Sequence, residues 1–451
     1  MPAKPKVRSL LGAGALIAAV VGGGSSASTA AARGGAPVGS DGPSARQAGH
    51  WVDTWVAMPQ LTEPSNMPPA PFTQNNLVLA DSTLRTTVRL TVGGRFFRLR
   101  ISNAFGGAAL PITAVSVALP AGGAAGVSAI QPGTAHPVTF DGRASITIPN
   151  GSQAVSDPLE LALPPRTNLT VSIYLAQGQA SNDITSHPGS RTTTYLINGN
   201  HVDDPDLPAT AAHTDHWYFL SGVETWAWPE TAAAVMLGDS LTDGRGSTTN
   251  GNDRWPDQLL DRLQADPAFR HVAVVNQAAG GNRVLNDGLG PNAVGRIDRD
   301  VLAQSGVSWL LVFEGVNDLG TAPATPDAQK AVVDDLITAY EQIITRAHAK
   351  GIRVYGATIT PFGGNSYDDP QGLREASRQD VNTWIRTSRR FDAVVDFDQA
   401  ARDPANPREL NPAFDVGDHL HMNPAGYAAL AAAVPARLFL LRPLPPGFGF
   451  N

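Results

Sequence analysis

The sequence predicts a mixed fold in two halves, an all-β half of sandwich or jelly-roll-like type followed by an α/β half with a parallel sheet. Several segments of residues 51–228 place apolar residues at every second position, with turn-rich segments between them, which is typical of antiparallel strands. After Pro229, short apolar runs alternate with helical stretches, which is typical of parallel strands covered by helices. We therefore assign residues 50–228 to a β domain and residues 229–445 to an α/β domain.

The β half is predicted from its alternation. Apolar residues of one parity run from Leu84 to Val92, Gly93-Gly94 follow, and the alternation resumes at Phe97. Two glycines between alternating segments predict a β-hairpin. Two further segments alternate in the same way, at residues 159–163 and 169–175. No helical period of useful length interrupts them, so we expect two packed sheets.

The α/β half is predicted from five apolar runs and the helical stretches between them. The runs are residues 232–237, 271–275, 308–313, 352–359 and 391–397. The clearest helix is 326–350, whose apolar residues form one stripe; Thr325-Pro326 begin it and Gly351 ends it. Ligands bind at the carboxyl ends of the strands in such sheets, so polar residues that follow the runs are candidates for a site.

The N-terminus is predicted to be a targeting signal. Lys4, Lys6 and Arg8 precede the apolar stretch LLGAGALIAAVV and a small-residue segment, the order found in secretory signal peptides. We assign residues 1–32 to a signal peptide and residues 33–49 to a flexible leader, and we expect a secreted, extracellular protein. The alternative is an uncleaved anchor or a disordered tail.

Composition excludes several classes of partner and site. The chain has 451 residues, no cysteine and a net charge of -7, so disulfides and thiolate metal sites are impossible and nucleic acid is a poor partner. No other apolar run is long enough to span a bilayer. We expect no cofactor, no metal and no nucleic acid, and a monomer whose partner is an ester substrate.

Four loops that follow predicted strands carry polar residues. They are GDSL with Ser240, NQAAGGN from Asn276 to Asn282, GVND with Asn317, and DVGDHLHMNP with Asp418 and His421. A serine hydroxyl becomes a nucleophile when a histidine removes its proton, and a carboxylate orients that histidine. A backbone N–H and a side-chain amide suit the oxyanion that acyl transfer creates. The loops therefore predict acyl transfer.

These four segments, in this order, resemble the four motif blocks of the GDSL/SGNH hydrolases. The resemblance covers about 190 residues of the α/β half. It implies a flavodoxin-like three-layer α/β/α domain, Ser240 as nucleophile, and His421 with Asp418 as the rest of the triad. It also implies an oxyanion hole made of Ser240, Gly281 and Asn317. Gly280 is the alternative to Gly281, which we favour because of its distance from Asn276.

Other polar residues compete for these roles. His419 and Asp415 stand near the predicted His421 and Asp418, and the Asn-Pro after His421 favours the latter pair. Asp239 and Asp318 are expected to orient backbone rather than to react. Three histidines of the β half, His187, His213 and His216, are expected to be structural. DHLH has no further ligands placed by sequence, so no metal is proposed.

The β half resembles a known module through the segments WVDTWVAM, RLRISNAFG and SHPGSRTTTYL. Similar segments occur at the N-terminus of secreted arylesterases and acylhydrolases, some linked to xylan degradation. Its tryptophans, Trp51, Trp55, Trp217, Trp226 and Trp228, either stack sugars or, as we favour, pack the sandwich. We expect no catalytic residue from residues 51–228.

Together these observations predict a secreted serine esterase that works through an acyl-enzyme. Short acyl esters, such as acetyl groups on polysaccharides or aryl esters, are the expected substrates. Three alternatives stay open: a lipase or phospholipase, an acyltransferase, and a non-catalytic polysaccharide-binding protein.

Overall fold

Antiparallel strands fill the first half of the chain. The computed structural model describes residues 48–440, which belong to one compact unit. The predicted signal peptide, the leader up to residue 47 and residues 441–445 of the predicted α/β domain lie outside the described residues. The strands of the first half are β1 (His50–Val56), β2 (Gln60–Leu61), β3 (Thr73–Gln74), β4 (Leu77–Val78), β5 (Ser82–Arg89), β6 (Gly94–Ser102), β7 (Leu110–Ile112), β8 (Ala114–Ala118), β9 (His136–Val138), β10 (Ile146–Ile148), β11 (Gln153–Val155), β12 (Leu159–Leu163), β13 (Asn168–Leu175), β14 (Thr185–His187), β15 (Thr194–Asn198), β16 (Ala212–Thr214), β17 (Trp217–Tyr218) and β18 (Leu220–Ala227).

Two larger sheets organise these strands. One has the order β1-β18-β6-β11, with β12 also paired to β6, and the other has the order β16-β15-β5-β13-β8-β9. Alternate apolar residues of both sheets, among them Leu99, Ile101, Val171 and Ile173, are buried in one hydrophobic cluster. Residues that point to one face of each sheet thus meet in a shared core, as in a sandwich. The predicted all-β first half is confirmed.

The predicted hairpin around Gly93-Gly94 is wrong. Strand β5 pairs with β13 and β15, whereas β6 pairs with β18, β11 and β12, so the two strands lie in different sheets. The chain leaves the sheet that contains β5 at Leu90, and the N–H of Thr91 donates to the carbonyl oxygen of Thr54, at 2.8 Å. Gly93 is needed for close approach, because a Cβ there would lie 2.4 Å from the carbonyl oxygen of Leu163.

The second half contains the predicted parallel sheet. Its strands are β19 (Ala232–Gly238), β20 (Val272–Ala278), β21 (Val307–Phe313), β22 (Arg353–Ala357) and β23 (Ala393–Val395), in the order β20-β19-β21-β22-β23. The helices are α1 (Ser240–Asp243), α2 (Trp255–Ala265), α3 (Ala293–Ile297), α4 (Val316–Thr321), α5 (Pro326–His348), α6 (Leu373–Thr387), α7 (Phe397–Ala401) and α8 (Pro424–Ala433). Single helical turns occur at Pro64–Asn66, Ala121–Gly123, Pro267–Phe269, Asp298–Leu302 and Ala436–Phe439.

The strand order places a crevice above the central strand. Strand β19 is buried along its whole length, so both faces of the sheet are covered, and its order is that of flavodoxin-like sheets. The chain goes from β19 to one side and then crosses to the other, and ligands bind at such a switch point. Helix α1 begins two residues after β19. Within residues 48–440, no helix combines the length and the apolar character needed to cross a membrane.

The first half also contributes to the core of the second. Val52 and Val56 of β1, together with Val92 and Ala227, belong to the hydrophobic cluster that surrounds the parallel sheet. A buried polar contact accompanies this packing: Asp53 accepts hydrogen bonds from the Arg100 guanidinium, at 2.6 Å, and from the N–H of Ser305, at 2.8 Å. Burial raises the pKa of Asp53 to about 7, although the charge of Arg100 opposes the shift.

Candidate active site

Ser240 occupies the turn between the central strand and helix α1. Gly238 is the last residue of the strand, and a Cβ at this position would lie 2.7 Å from the carbonyl oxygen of Phe313. Asp239 then caps the helix, because its side chain accepts the N–H of Leu241 at 2.9 Å. Ser240 is therefore the first residue of α1, and its N–H has no partner within the helix. The turn presents the hydroxyl at the carboxyl end of the sheet.

His421 connects Ser240 to Asp418. Its Nε2 lies 2.8 Å from Oγ of Ser240, and its Nδ1 lies 2.7 Å from Oδ2 of Asp418. Oδ1 of Asp418 accepts two backbone N–H groups, from His421 at 2.8 Å and from Leu420 at 3.1 Å. The loop is held from outside by Asn365, whose amide donates to the carbonyl oxygen of Asp418. The structure thus brings together the three residues that the sequence predicts as a triad.

Electrostatics keep this histidine neutral and this aspartate charged. Burial lowers the pKa of His421, and the positive charges of Arg245 and Arg191 lower it further, while Asp418 opposes the shift. For Asp418, burial is the largest influence and raises the pKa, but the hydrogen bonds from His421 and Leu420 outweigh it, so the pKa is lowered. A neutral imidazole beside a carboxylate is the state that accepts a proton from a hydroxyl.

The competing pair, His419 and Asp415, forms a separate contact. Nδ1 of His419 lies 2.7 Å from Oδ2 of Asp415, and the His419 side chain is 54% exposed. The two neighbouring His–Asp pairs therefore differ in burial and in contact with a hydroxyl. Among residues 48–440, no group of three or more histidine or carboxylate side chains is placed to hold a metal ion.

The glycine loop after β20 leaves one backbone donor unused. The N–H of Gly280 donates to Oδ2 of Asp243 at 3.0 Å. Gly281 has a left-handed backbone with φ 72°, and in the described part of the chain its N–H has no acceptor. Of the two glycines that the sequence offers, Gly281 is the one with a free N–H that lines the cleft.

Asn317 is buried on helix α4 with its amide fixed in orientation. Its Oδ1 accepts the hydroxyl of Tyr367 at 2.9 Å, and its Nδ2 donates to the carbonyl oxygen of Asn282 at 2.8 Å. Because the amide nitrogen has two N–H groups, one is left for a ligand. Tyr367 lies 50 residues further along the chain, and the sequence analysis did not identify it.

Buried carboxylates support the loops of the site. Asp318 accepts the N–H groups of Val284 and Leu285, at 2.9 and 3.0 Å. Burial raises the pKa of Asp318 to about 6 and that of Asp239 to about 7. Both residues hold backbone, as the sequence predicts, and neither contacts the Ser240 hydroxyl.

The cleft around Ser240 receives residues from both halves of the chain. Its volume is about 440 Å³. From the second half it is lined by Ser240, Asp243, Arg245, Gly280, Gly281, Leu289, Asn317, Tyr367, Leu420 and His421. From the first half it is lined by Gln60, Glu63, Asn66, Pro188, Gly189, Arg191 and His216. The β half therefore forms one wall of the candidate site.

Of the tryptophans and histidines that the sequence singles out in the β half, His216 lines the cleft and the others lie outside it. Trp51 packs on Trp226 and Trp55 packs on Trp217, edge to face, with ring centroids 5.5 and 4.8 Å apart. Trp228 is 69% exposed. None of these five tryptophans lines the cleft. His213 lies beside Tyr195, and His216 contacts the carbonyl oxygen of Pro188 at 2.6 Å.

Comparisons with known proteins find similarity in the second half of the chain. The sequence profile of the GDSL-like Lipase/Acylhydrolase family matches residues 236–429. No curated protein sequence matches the chain.

Three solved structures illustrate the structural likeness. A catalytic mutant of an acetylxylan esterase from Geobacillus stearothermophilus is 21% identical, covers 45% of this chain and 91% of its own, and has a TM-score of 0.35. A GDSL-like lipase from Bacteroides thetaiotaomicron VPI-5482 is 17% identical, with 45% and 84% covered and a TM-score of 0.31. An alpha/beta hydrolase enzyme from the metagenome of Lake Arreo, Spain, is 20% identical, with 45% and 92% covered and a TM-score of 0.33. The likeness to the GDSL-like lipase/acylhydrolase family rests on the profile match to residues 236–429, which are less than half of the chain, and this match supports a carboxylic ester hydrolase.

Proposed function

We propose that this chain is an exported serine esterase whose nucleophile is Ser240. The observation that carries the proposal is the hydrogen-bonded series from Oγ of Ser240 through His421 to Asp418, at 2.8 and 2.7 Å, at the edge of a polar cleft. Export is supported by the basic, apolar and small-residue order of residues 1–32.

The reaction follows from the positions of these groups. Ser240 attacks the ester carbonyl while Nε2 of His421 takes the hydroxyl proton, and the carboxylate of Asp418 stabilises the imidazolium. The N–H groups of Ser240 and Gly281 and the amide of Asn317 donate to the oxyanion. The imidazolium then protonates the departing alcohol, which leaves an acyl-enzyme. Water deprotonated by His421 attacks the acyl-enzyme and releases the acid.

The lining of the cleft favours a small acyl group on a polar alcohol. Charged and amide side chains, including Glu63, Asn66, Arg191 and Arg245, form much of the wall, and the aliphatic side chains among the lining residues are Pro188, Leu289 and Leu420. A fatty acyl chain needs a continuous apolar surface to leave water, which this wall does not offer. We therefore propose acetyl esters of polysaccharides or aryl alcohols as substrates, and a lipase-type activity as the second candidate.

A panel of 4-nitrophenyl esters tests the proposal. We expect kcat/KM to be highest for the acetyl ester and to fall as the acyl chain is lengthened to octanoyl. Acetylated xylan and phosphatidylcholine, assayed by acid release, compare the two natural substrate classes. A preference for octanoyl ester and phosphatidylcholine would favour the lipase, and no labelling by a fluorophosphonate probe would favour a non-catalytic binding protein. Ester formation with an added alcohol would indicate an acyltransferase.

The pH dependence of kcat/KM follows from the lowered pKa of His421. The base must be neutral, so activity is expected to be full at higher pH and to fall as the pH drops through the His421 pKa, with a midpoint below the ordinary histidine value of 6.5. Arg245→Gln removes one positive charge and should move the midpoint to higher pH. A wild-type midpoint above 6.5 would mean that the Asp418 contact outweighs burial.

Asn317→Ala is expected to lower kcat by about 10²- to 10³-fold with little change in KM, because an oxyanion donor acts mainly in the transition state. Steady-state kinetics on 4-nitrophenyl acetate measure both constants. Tyr367→Phe is the matched control: it removes the hydroxyl that orients the amide but keeps the donor, so its effect on kcat should be smaller. A large rise in KM with unchanged kcat would make Asn317 a substrate-binding residue instead.

A further inference from the structure

We propose that His187, on strand β14 of the first half, positions the oxyanion loop of the second half through Asp243. The inference rests on the proposed function and adds two positioning residues to it. Neither belongs to the predicted triad or oxyanion hole.

The contact is a buried series of hydrogen bonds across the two halves. Nδ1 of His187 lies 3.0 Å from the carbonyl oxygen of Met58, and Nε2 lies 2.9 Å from Oδ1 of Asp243. Oδ2 of Asp243 accepts the N–H of Gly280 at 3.0 Å. His187 is 4% exposed and Asp243 is 1% exposed. The series therefore runs from the β half to the residue that precedes Gly281.

The hydrogen-bonding roles of the two ring nitrogens of His187 make this contact specific for a histidine. A carbonyl oxygen only accepts, so Nδ1 of His187 carries a proton. Nε2 then faces a carboxylate oxygen, and the 2.9 Å contact needs a second proton between the two atoms. His187 and Asp243 thus link the carbonyl oxygen of Met58 to the N–H of Gly280, and both side chains are buried. Removing either side chain leaves a buried polar group without a partner.

Asp243 joins the two catalytic elements that must keep their relative position. It is the last residue of the helix that Ser240 begins, and through Gly280 it holds the loop that supplies the Gly281 N–H. The β half closes over it tightly, because a Cβ at Gly189 would lie 1.7 Å from Oδ2 of Asp243. The ring of Trp217 stacks on His187 with centroids 5.7 Å apart, which fixes the imidazole plane.

The main test compares Asp243→Ala with Asp243→Asn. The asparagine oxygen can accept the Gly280 N–H and its amide can donate to Nε2 of a neutral His187, so the hydrogen bonds of the series are kept and kcat should be much closer to the wild-type value than that of the alanine variant. The alanine breaks both bonds and frees the loop. Because a displacement of about 1 Å at a reacting centre costs about 10²-fold in rate, we expect a loss of that order in kcat with little change in KM.

Two further variants approach the same contact from the β half. His187→Phe keeps an aromatic ring but removes both ring nitrogens. Gly189→Ala keeps both partners but forces the Asp243 side chain to move. Both variants should lower kcat on 4-nitrophenyl acetate. His201→Phe is the matched control, since His201 pairs with Asp204 in the same half and does not line the cleft. Its kcat should equal that of the wild type. If Asp243→Ala does not fold, His187→Phe and Gly189→Ala decide the question.

A double-mutant cycle separates positioning from a general effect on stability. Asp243→Ala and Asn317→Ala act on one oxyanion under the proposal, so their effects on kcat should be non-additive. The proposal is overturned by additive effects, by a normal kcat in folded Asp243→Ala, or by a change confined to KM. Failure of the serine esterase itself would show differently, as wild-type turnover that survives in Ser240→Ala.

Discussion

Ser240→Ala is expected to lower kcat on 4-nitrophenyl acetate by about 10⁴- to 10⁶-fold, the range observed when a triad member is lost. The fold should persist, because Asp239 caps helix α1 through its own side chain and needs only the N–H of Leu241. Circular dichroism and thermal unfolding check the fold, and active-site titration guards against contaminating esterase.

Covalent labelling gives an independent readout of the same residue. A fluorophosphonate should label the wild type once and Ser240→Ala not at all. Ser247→Ala is a matched control, because Ser247 lies seven residues further on, where its hydroxyl donates to the carbonyl oxygen of Gly244; this variant should label and turn over normally. Near-normal turnover by a correctly folded Ser240→Ala would remove Ser240 as the nucleophile.

His421→Ala is expected to cost at least about 10⁴-fold in kcat, because Ser240 then has no base and the developing charge no partner. The chain supplies a control two residues away. His419→Ala removes a histidine that also pairs with an aspartate but is 54% exposed, and such surface changes are usually small. We expect its kcat to stay within about threefold of the wild type.

The ranking of these two histidine variants decides which His–Asp pair is catalytic. A severe loss in His419→Ala with a mild one in His421→Ala would move the base to His419 and its acid to Asp415. Equal and severe losses accompanied by a lower unfolding temperature would indicate that the loop before α8 had collapsed, in which case the pH profile of the remaining activity identifies the base.

The sequence predicts the regular elements of the fold well because their periods are local. Helix α5 begins at Pro326, and the apolar runs of the second half became β19 to β23. The pairing of strands is not local. The segment from Leu84 to Ile101 has the alternation and the glycine turn of a hairpin. However, the N–H of Thr91 donates to the carbonyl oxygen of Thr54, and the chain passes there from the sheet of β5 to the sheet of β6. Period-2 alternation identifies a strand but does not identify its neighbour.

The candidate site shows the same division between local and distant information. Asp418 and His421 are three residues apart, and Ser240, Gly281 and Asn317 each follow a recognisable strand. Tyr367, which orients Asn317, stands in an irregular segment, and His187 meets Asp243 across 56 positions. The segment SHPGSRTTTYL, which contains His187, resembles a known module, but nothing within the segment indicates which acidic residue the histidine faces.

The apolar side chains that the β half places around the parallel sheet have a genetic consequence. The core around the strand that precedes Ser240 includes Val52, Val56, Val92 and Ala227. A substitution that weakens the packing of these residues should therefore also disturb the candidate active site. Inactivating substitutions should therefore be spread over both halves of the chain rather than be confined to residues 236–429. The residues whose substitution lowers activity should therefore include strands of the β half that contribute to this shared core.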